Sequence, residues 1–179
     1  MWKQFYPCWY VQDVFEIDYE KLYRRGFRGI MFDIDNTLVH HGDDSTPRID
    51  GLFRDLNRMG FKTLMLSNNS EERIKRFLRH IDAQYVSDAD KPKPDGYLRG
   101  IELLGMPKEQ IVVVGDQMFT DILGANRVGL SSILVHFIQL PGETKIGKKR
   151  YLEKVLLRCC QRNRRSGAQL LEMRKKGSM

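Results

Sequence analysis

Asp33 and Asp35 stand two residues apart at the end of an apolar run, and Thr37 follows two residues later. In an extended segment, residues i and i+2 point to the same side, so this spacing sets both carboxylates together. Carboxylates held that close repel, and the pKa of one rises unless a cation relieves them. Mg2+ suits such a pair, because it takes a few carboxylate oxygens, keeps waters and bridges to phosphate. With a cation in place the two acids can divide the work of phosphoryl transfer. Asp33 can attack phosphorus in line, while Asp35 gives a proton to the leaving oxygen and later takes one from water. Asp116 offers a further carboxylate after Gly115, and Asp121 lies five residues beyond it. Ser67, followed by Asn68 and Asn69, offers a hydroxyl to a phosphoryl oxygen, and Lys91 offers a positive charge. Phosphoryl transfer demands mainly alignment and charge neutralisation, so a cation, a lysine and a hydroxyl form a sufficient set.

These clusters are far apart in the chain, so regular elements must bring them together. Short apolar runs at residues 29–32, 63–66, 84–86, 111–114 and 132–135 read as five strands. Between them, apolar residues at helical spacing predict helices over residues 52–59, 71–81, 94–104 and 120–128. Ser70 is a natural N-cap for the second of these, and Pro94 and Gly105 bracket the third. Strands alternating with helices imply right-handed crossovers and a parallel sheet covered on both faces, a doubly wound α/β fold. Ligands in such folds bind beyond the carboxyl ends of the strands. The polar clusters stand at those ends, so they should converge on one rim of the sheet.

The four clusters, in this order, resemble the haloacid dehalogenase (HAD) superfamily. Asp33, Asp35 and Thr37 match its D-x-D-x-T motif. Ser67 matches the Ser/Thr motif after the second strand. Lys91, with Pro92 and Pro94, matches K-P-x-P, and this frame favours Lys91 over its rival Lys93. Gly115, Asp116 and Asp121 match G-D-x-x-x-x-D. The stretches 32–39 and 115–127 look like the YqeG-like branch of subfamily IIIA, whose members include mitochondrial phosphatidylglycerophosphate phosphatases. The resemblance spans roughly residues 3–160. It implies a HAD-like, Rossmann-like fold and a Mg2+-dependent phosphomonoester hydrolase working through an aspartyl-phosphate. It implies Asp33, Asp35, Ser67 and Lys91 as catalytic residues, with Thr37, Asn68 and Asp121 in support. Mg2+ is then held by Asp33, Asp116 and the backbone carbonyl of Asp35. HAD phosphatases often carry a cap domain after the first motif or between the second and third. Neither gap in this chain has room for one, so a capless, open site is expected.

The charge is uneven. Residues 1–140 hold 18 Lys and Arg against 20 Asp and Glu, whereas residues 141–179 hold 12 against 3. The chain therefore divides into a phosphatase core with a short N-terminal extension, 1–140, and a basic C-terminal helical extension, 141–179. Tyr151, Leu152, Val155, Leu156, Cys159 and Cys160 fall on one helical face of that extension. Such a helix either lies on an anionic membrane or packs on the core. Partners expected from the whole pattern are a phosphorylated substrate, a lipid phosphate being one candidate, and an anionic membrane. The alternative is an RNA- or ribosome-associated factor whose tail binds phosphate backbone. RNA-recognition aromatics are not apparent. His40 and His41 read as exposed loop residues. No signal peptide and no membrane-spanning run is apparent, so a cytoplasmic protein is expected.

Overall fold

The structure is a computed structural model, and it describes residues 2–139, 151–153 and 155–158. The extension beyond residue 158, including Cys159 and Cys160, lies outside the described residues, as does 140–150.

The apolar runs are strands. They are β1 (Trp9–Val11), β2 (Gly29–Phe32), β3 (Lys62–Leu66), β4 (Gln84–Val86), β5 (Ile111–Gly115) and β6 (Ser131–Val135). All pair in parallel, in the order β1-β6-β5-β2-β3-β4. The doubly wound parallel sheet is as read from the sequence, but with six strands rather than five. The addition is β1, three residues of the N-terminal extension whose Tyr10 and Val11 lie beside Leu134 and Val135. It is an edge strand formed by pairing with β6, a contact that residues 9–11 do not encode by themselves.

The helices are α1 (Tyr19–Arg24), α2 (Pro47–Arg58), α3 (Glu71–Phe77), α4 (Pro94–Leu104) and α5 (Leu123–Val128). Helix α2 begins five residues before the apolar spacing suggests. Thr46 caps it, accepting from Ile49 N–H, and Pro47 supplies the first helical position. Helix α3 is capped by Ser70 as expected, then tightens into a 3-10 turn at Leu78–His80. Before α5 the chain makes a π-helical turn, Met118–Ile122.

Side chains alternate between the two faces of the sheet. Ile30, Phe32, Met65, Val112 and Val114 join the apolar layer that includes Ile49, Phe53 and Phe77. Met31, Leu64, Leu66, Ile111 and Val113 join the opposite layer with Tyr97 and Ala125. Burial on both faces is what makes the strands read as continuous apolar runs. The chain runs outward from β2 through β3 to β4, then returns to β5 on the other side. The crevice for a ligand therefore opens at the carboxyl ends of β2 and β5. Residues 37–64 contain α2 and the start of β3, and residues 70–89 contain α3, a 3-10 turn and β4.

Candidate active site

The chain leaves β2 into Asp33, and Asp33 N–H donates to Val114 O of the neighbouring strand at 2.9 Å. This holds the start of the first motif against the end of β5. The Asp33 carboxylate is buried and meets Lys91, whose Nζ donates to Asp33 Oδ1 at 2.6 Å and to Asp121 Oδ1 at 2.7 Å. Thr37 Oγ1 lies 3.1 Å from Asp116 Oδ1 and 3.3 Å from Asp33 Oδ2, so its single hydrogen is shared between two acids. Asp121 Oδ2 accepts from Gln117 N–H at 3.0 Å, folding the last motif back on itself. That fold requires glycine at 115, because a Cβ there would collide with the Asp121 carboxyl group.

Lys91 is placed by Asn68. Lys91 N–H donates to Asn68 Oδ1 at 2.7 Å, and Asn68 Nδ2 donates to Lys91 O at 3.3 Å. The loop after β3 thus fixes the loop before α4. Ser67 is buried beside Asn68 and accepts from Asn69 N–H at 3.2 Å. Asp33, Asp35, Ser67, Asn68, Lys91, Gln117 and Thr120 border a cleft of ≈ 190 Å³.

Electrostatics separate the acids. Burial pushes the Asp33 carboxyl up to about 6; Lys91 opposes this and Asp121 adds to it. Burial works against the charge on Lys91, yet Asp121 and Asp33 outweigh it and hold the lysine more firmly protonated than usual. Oxygens of Asp33, Asp116 and Asp121 lie within 4.8 Å of one another. Among the described residues, three carboxylates here face one ammonium. This is a set of hard oxygen donors with negative charge in excess, which suits a divalent cation such as Mg2+.

Asp35 borders the same cleft as Asp33, but β2 ends at Phe32 and the two carboxylates take different partners. Asp35 Oδ2 accepts from Asn69 Nδ2 at 2.7 Å, and Oδ1 accepts from Arg73 at 3.0 Å and from Gly42 N–H at 3.2 Å. His41 Nδ1 lies 3.2 Å from Oδ2. Partial burial works to raise the Asp35 pKa, but the bonds from Asn69 and Gly42, with Arg73 and His41, bring it below the usual carboxylate range. The acid that raises Asp33 is Asp121. The contribution expected of Asp35 to a metal is its backbone carbonyl, and its side chain is engaged elsewhere.

Arg73 and Arg76, one turn apart on α3, also hold the loop after the first motif. Arg73 donates to Asp43 O at 2.6 Å, and Arg76 donates to Gly42 O at 2.8 Å and pairs with Asp44. Asp33, Thr37, Ser67, Asn68, Lys91, Asp116 and Asp121 are thus gathered at one rim, as the spacing implied. Arg73, His41, Asn69 and Gln117 belong there too and were not read as site residues. A helical arginine six residues after Ser67 carries no signature of its own. His41 is a largely exposed loop residue, as read, but its ring reaches Asp35.

A parallel doubly wound sheet with acids, a lysine and a serine at its carboxyl rim defines a phosphatase of the HAD class. A family model for haloacid dehalogenase-like hydrolases matches residues 41–129, a stretch that includes Ser67, Lys91, Asp116 and Asp121. The chain is 39% identical over 134 residues to the probable phosphatase YqeG of Bacillus subtilis, covering 74% of this chain and 78% of that one. It belongs to the HAD-like hydrolases, and it is an enzyme of the phosphoric monoester hydrolase type. It is also 29% identical over 160 residues to phosphatidylglycerophosphate phosphatase 1 of Arabidopsis thaliana, covering 83% of this chain and 46% of that protein. Among solved structures, a HAD phosphatase from Thermococcus onnurineus shares the fold at a TM-score of 0.53 with 16% identity, over 73% of this chain and 98% of that one.

Proposed function

We propose that this phosphatase works through a phosphoryl group carried on Asp33, and that its substrate is a lipid phosphate such as phosphatidylglycerophosphate. The observation that carries the reading is Lys91 bridging Asp33 and Asp121 in a buried site. A carboxylate so held is aligned, partly neutralised and shielded from water, which is what a nucleophile toward phosphorus needs.

In the first half-reaction an Asp33 oxygen bonds to phosphorus while the ester oxygen leaves with the bonding pair and takes a proton from Asp35. In the second, water gives a proton to Asp35 and bonds to phosphorus. The bond to Asp33 breaks, and inorganic phosphate departs. Lys91 and the Ser67 hydroxyl hold phosphoryl oxygens; Thr37 steadies Asp33 and Asp116; Asn68 steadies Lys91; and Asp121 holds Lys91 in place. Asp33, Asp116 and the Asp35 carbonyl would hold Mg2+, which when bound neutralises the phosphoryl oxygens. Asp35, ionised in its contact with Arg73, takes up its proton only after turning from Arg73 toward the leaving oxygen, where its pKa can rise.

The substrate reading has independent supports. The cleft of ≈ 190 Å³ is smaller than the roughly 300–1,000 Å³ of sites that enclose a small ligand. It holds a phosphoryl group and leaves the rest of the molecule outside, which suits a capless site and a large substrate. Two relatives are named phosphatidylglycerophosphate phosphatases. Residues 151–153 and 155–158 are helical, with Tyr151, Leu152 and Val155 exposed and Leu156 turned inward. The apolar side expected of this helix is therefore split between core and solvent. We assign residues 1–140 to the catalytic core and 141–179 to a basic extension that rests on an anionic membrane from the cytoplasmic side. The contact proposed is peripheral, and no helix among the described residues is long and apolar enough to cross a bilayer.

The test is a panel of phosphorylated lipids and soluble phosphomonoesters with Mg2+, using Asp33→Asn as the control. Release of phosphate from phosphatidylglycerophosphate in preference to soluble esters supports the reading. Preference for a soluble metabolite removes the lipid part, and turnover retained by Asp33→Asn removes the mechanism.

A further inference from the structure

The segment after Asp116 starts a helical stretch, Met118–Ile122 continuing into α5, and the first amides of any helix lack intrahelical partners. The residue at the cap position, Gln117, supplies no side-chain hydrogen bond to them. Glu153 supplies it from 35 residues away. Its Oε1 accepts from Met118 N–H at 2.9 Å and from Phe119 N–H at 3.4 Å. The side chain is buried, although burying a carboxylate is costly unless its oxygens are bonded. A negative charge at a helix N-terminus is also favoured by the aligned peptide dipoles. Leu156, on the same helical segment, is buried with Met118, Ile122 and Leu134, so an apolar contact seats the segment beside the polar one. Phe5 closes the other side edge-on to Phe119, with ring centroids 5.4 Å apart.

We infer that Glu153 is a positioning residue for the phosphoryl site. It fixes the main chain two residues after Asp116, and so makes the C-terminal segment part of the apparatus that holds this acid. The inference rests on the reading of Asp116 as a metal-holding acid. It assigns a carboxylate of the basic extension a role that neither membrane nor RNA binding explains.

Two substitutions in the full chain separate positioning from mere stability. Glu153→Ala removes the cap, and Leu156→Ala loosens the same segment by opening a cavity while leaving the carboxylate. Mg2+ affinity is read by calorimetry with Mg2+ alone, beside melting temperature and turnover of p-nitrophenyl phosphate. Glu153→Ala is expected to weaken Mg2+ by roughly tenfold, the scale seen when groups supporting metal ligands are lost. It should lower kcat more than it raises KM, and Glu153→Gln, which keeps an oxygen acceptor, should recover most of the affinity. Leu156→Ala should lower the melting temperature without a matching loss of affinity. If Glu153→Ala does not fold, Glu153→Asp decides, because its shorter arm keeps the charge but not the reach to both amides. Unchanged Mg2+ affinity in the variant that folds, or equal affinity loss in Leu156→Ala, overturns the inference. Wild-type protein that binds no Mg2+ at all removes the reading of the site itself, a result distinct from both.

Discussion

Lys91 and Asp33 are 58 residues apart in the chain, and their side chains meet at 2.6 Å in a buried site. The loops after β2 and β4, on one side of the switch in strand order, are joined by that one contact, and Asp121 completes it from the other side, after β5.

Lys91→Met should reveal how much this bridge stabilises. The change leaves Asp33 and Asp121 buried beside each other with no ammonium between them. Removing one partner from a buried ionic group costs about 3–5 kcal/mol, because the remaining charge is stranded. A fall in melting temperature, partly restored by Mg2+, is expected in thermal denaturation. Turnover should fall by roughly 10²–10³, the range for losing a preorganised group that stabilises charge. Unaltered stability would contradict the bridge.

Asp33 itself is held at a cost in the metal-free protein. Its carboxyl is raised from 3.8 to about 6, so across that interval the folded chain binds more protons than the unfolded one. The contribution is therefore full below the unfolded pKa and is lost as pH rises through about 6. Asp33→Asn removes this loss, worth at most about 3 kcal/mol for a shift near two units. In EDTA at neutral pH, Asp33→Asn should melt above the wild type, and the gap should close as the pH falls below the wild-type pKa. A variant that melts below the wild type throughout would contradict it.

Arg73→Ala should loosen Asp35. The Asp35 pKa is below its ordinary value when folded, so the contribution is present above the unfolded pKa and lost as pH falls through the folded one. Removing Arg73 should lower stability at neutral pH and reduce the drop on acidification, measured by denaturation from pH 3 to 7. It should also free residues 42–43, which Arg73 holds through Asp35 and Asp43 O, giving faster amide exchange there. Unchanged exchange would show that the arginine does not secure the loop.

Tyr151, Leu152 and Val155 are exposed together on the C-terminal helical segment. Changing all three to serine should reduce co-sedimentation with vesicles containing anionic lipid and leave hydrolysis of soluble esters intact. Charged residues near such a surface contribute about 1 kcal/mol each, so added salt should also release the protein. Salt-sensitive RNA gel shifts with no vesicle binding would favour a nucleic-acid partner instead.

The core of this fold is legible because β2, β3 and β5 are buried on both faces and leave unbroken apolar runs. The first two lead directly into Asp33 and Ser67, and the third reaches Asp116 through Gly115. Proline and glycine mark α4 at both ends, and Ser70 marks the start of α3. What was hidden depends on contacts between distant segments. Trp9–Val11 becomes a strand only because β6 offers an edge. The direction of Asp35 is set by Asn69 and Arg73, and no spacing within D-x-D-x-T encodes it. Glu153 looks like an isolated acid in a basic tail until Met118 N–H is found against it.

The central claim is that Asp33 accepts a phosphoryl group, and beryllofluoride tests it directly as a mimic of that state. Fluorine NMR of the full chain with Mg2+ and beryllofluoride should show bound resonances in the wild type. They should vanish in Asp33→Asn and on removing Mg2+, while Asp35→Asn retains them. Bound resonances that persist in Asp33→Asn, or a folded wild type that takes up no beryllofluoride in the presence of Mg2+, would contradict the claim.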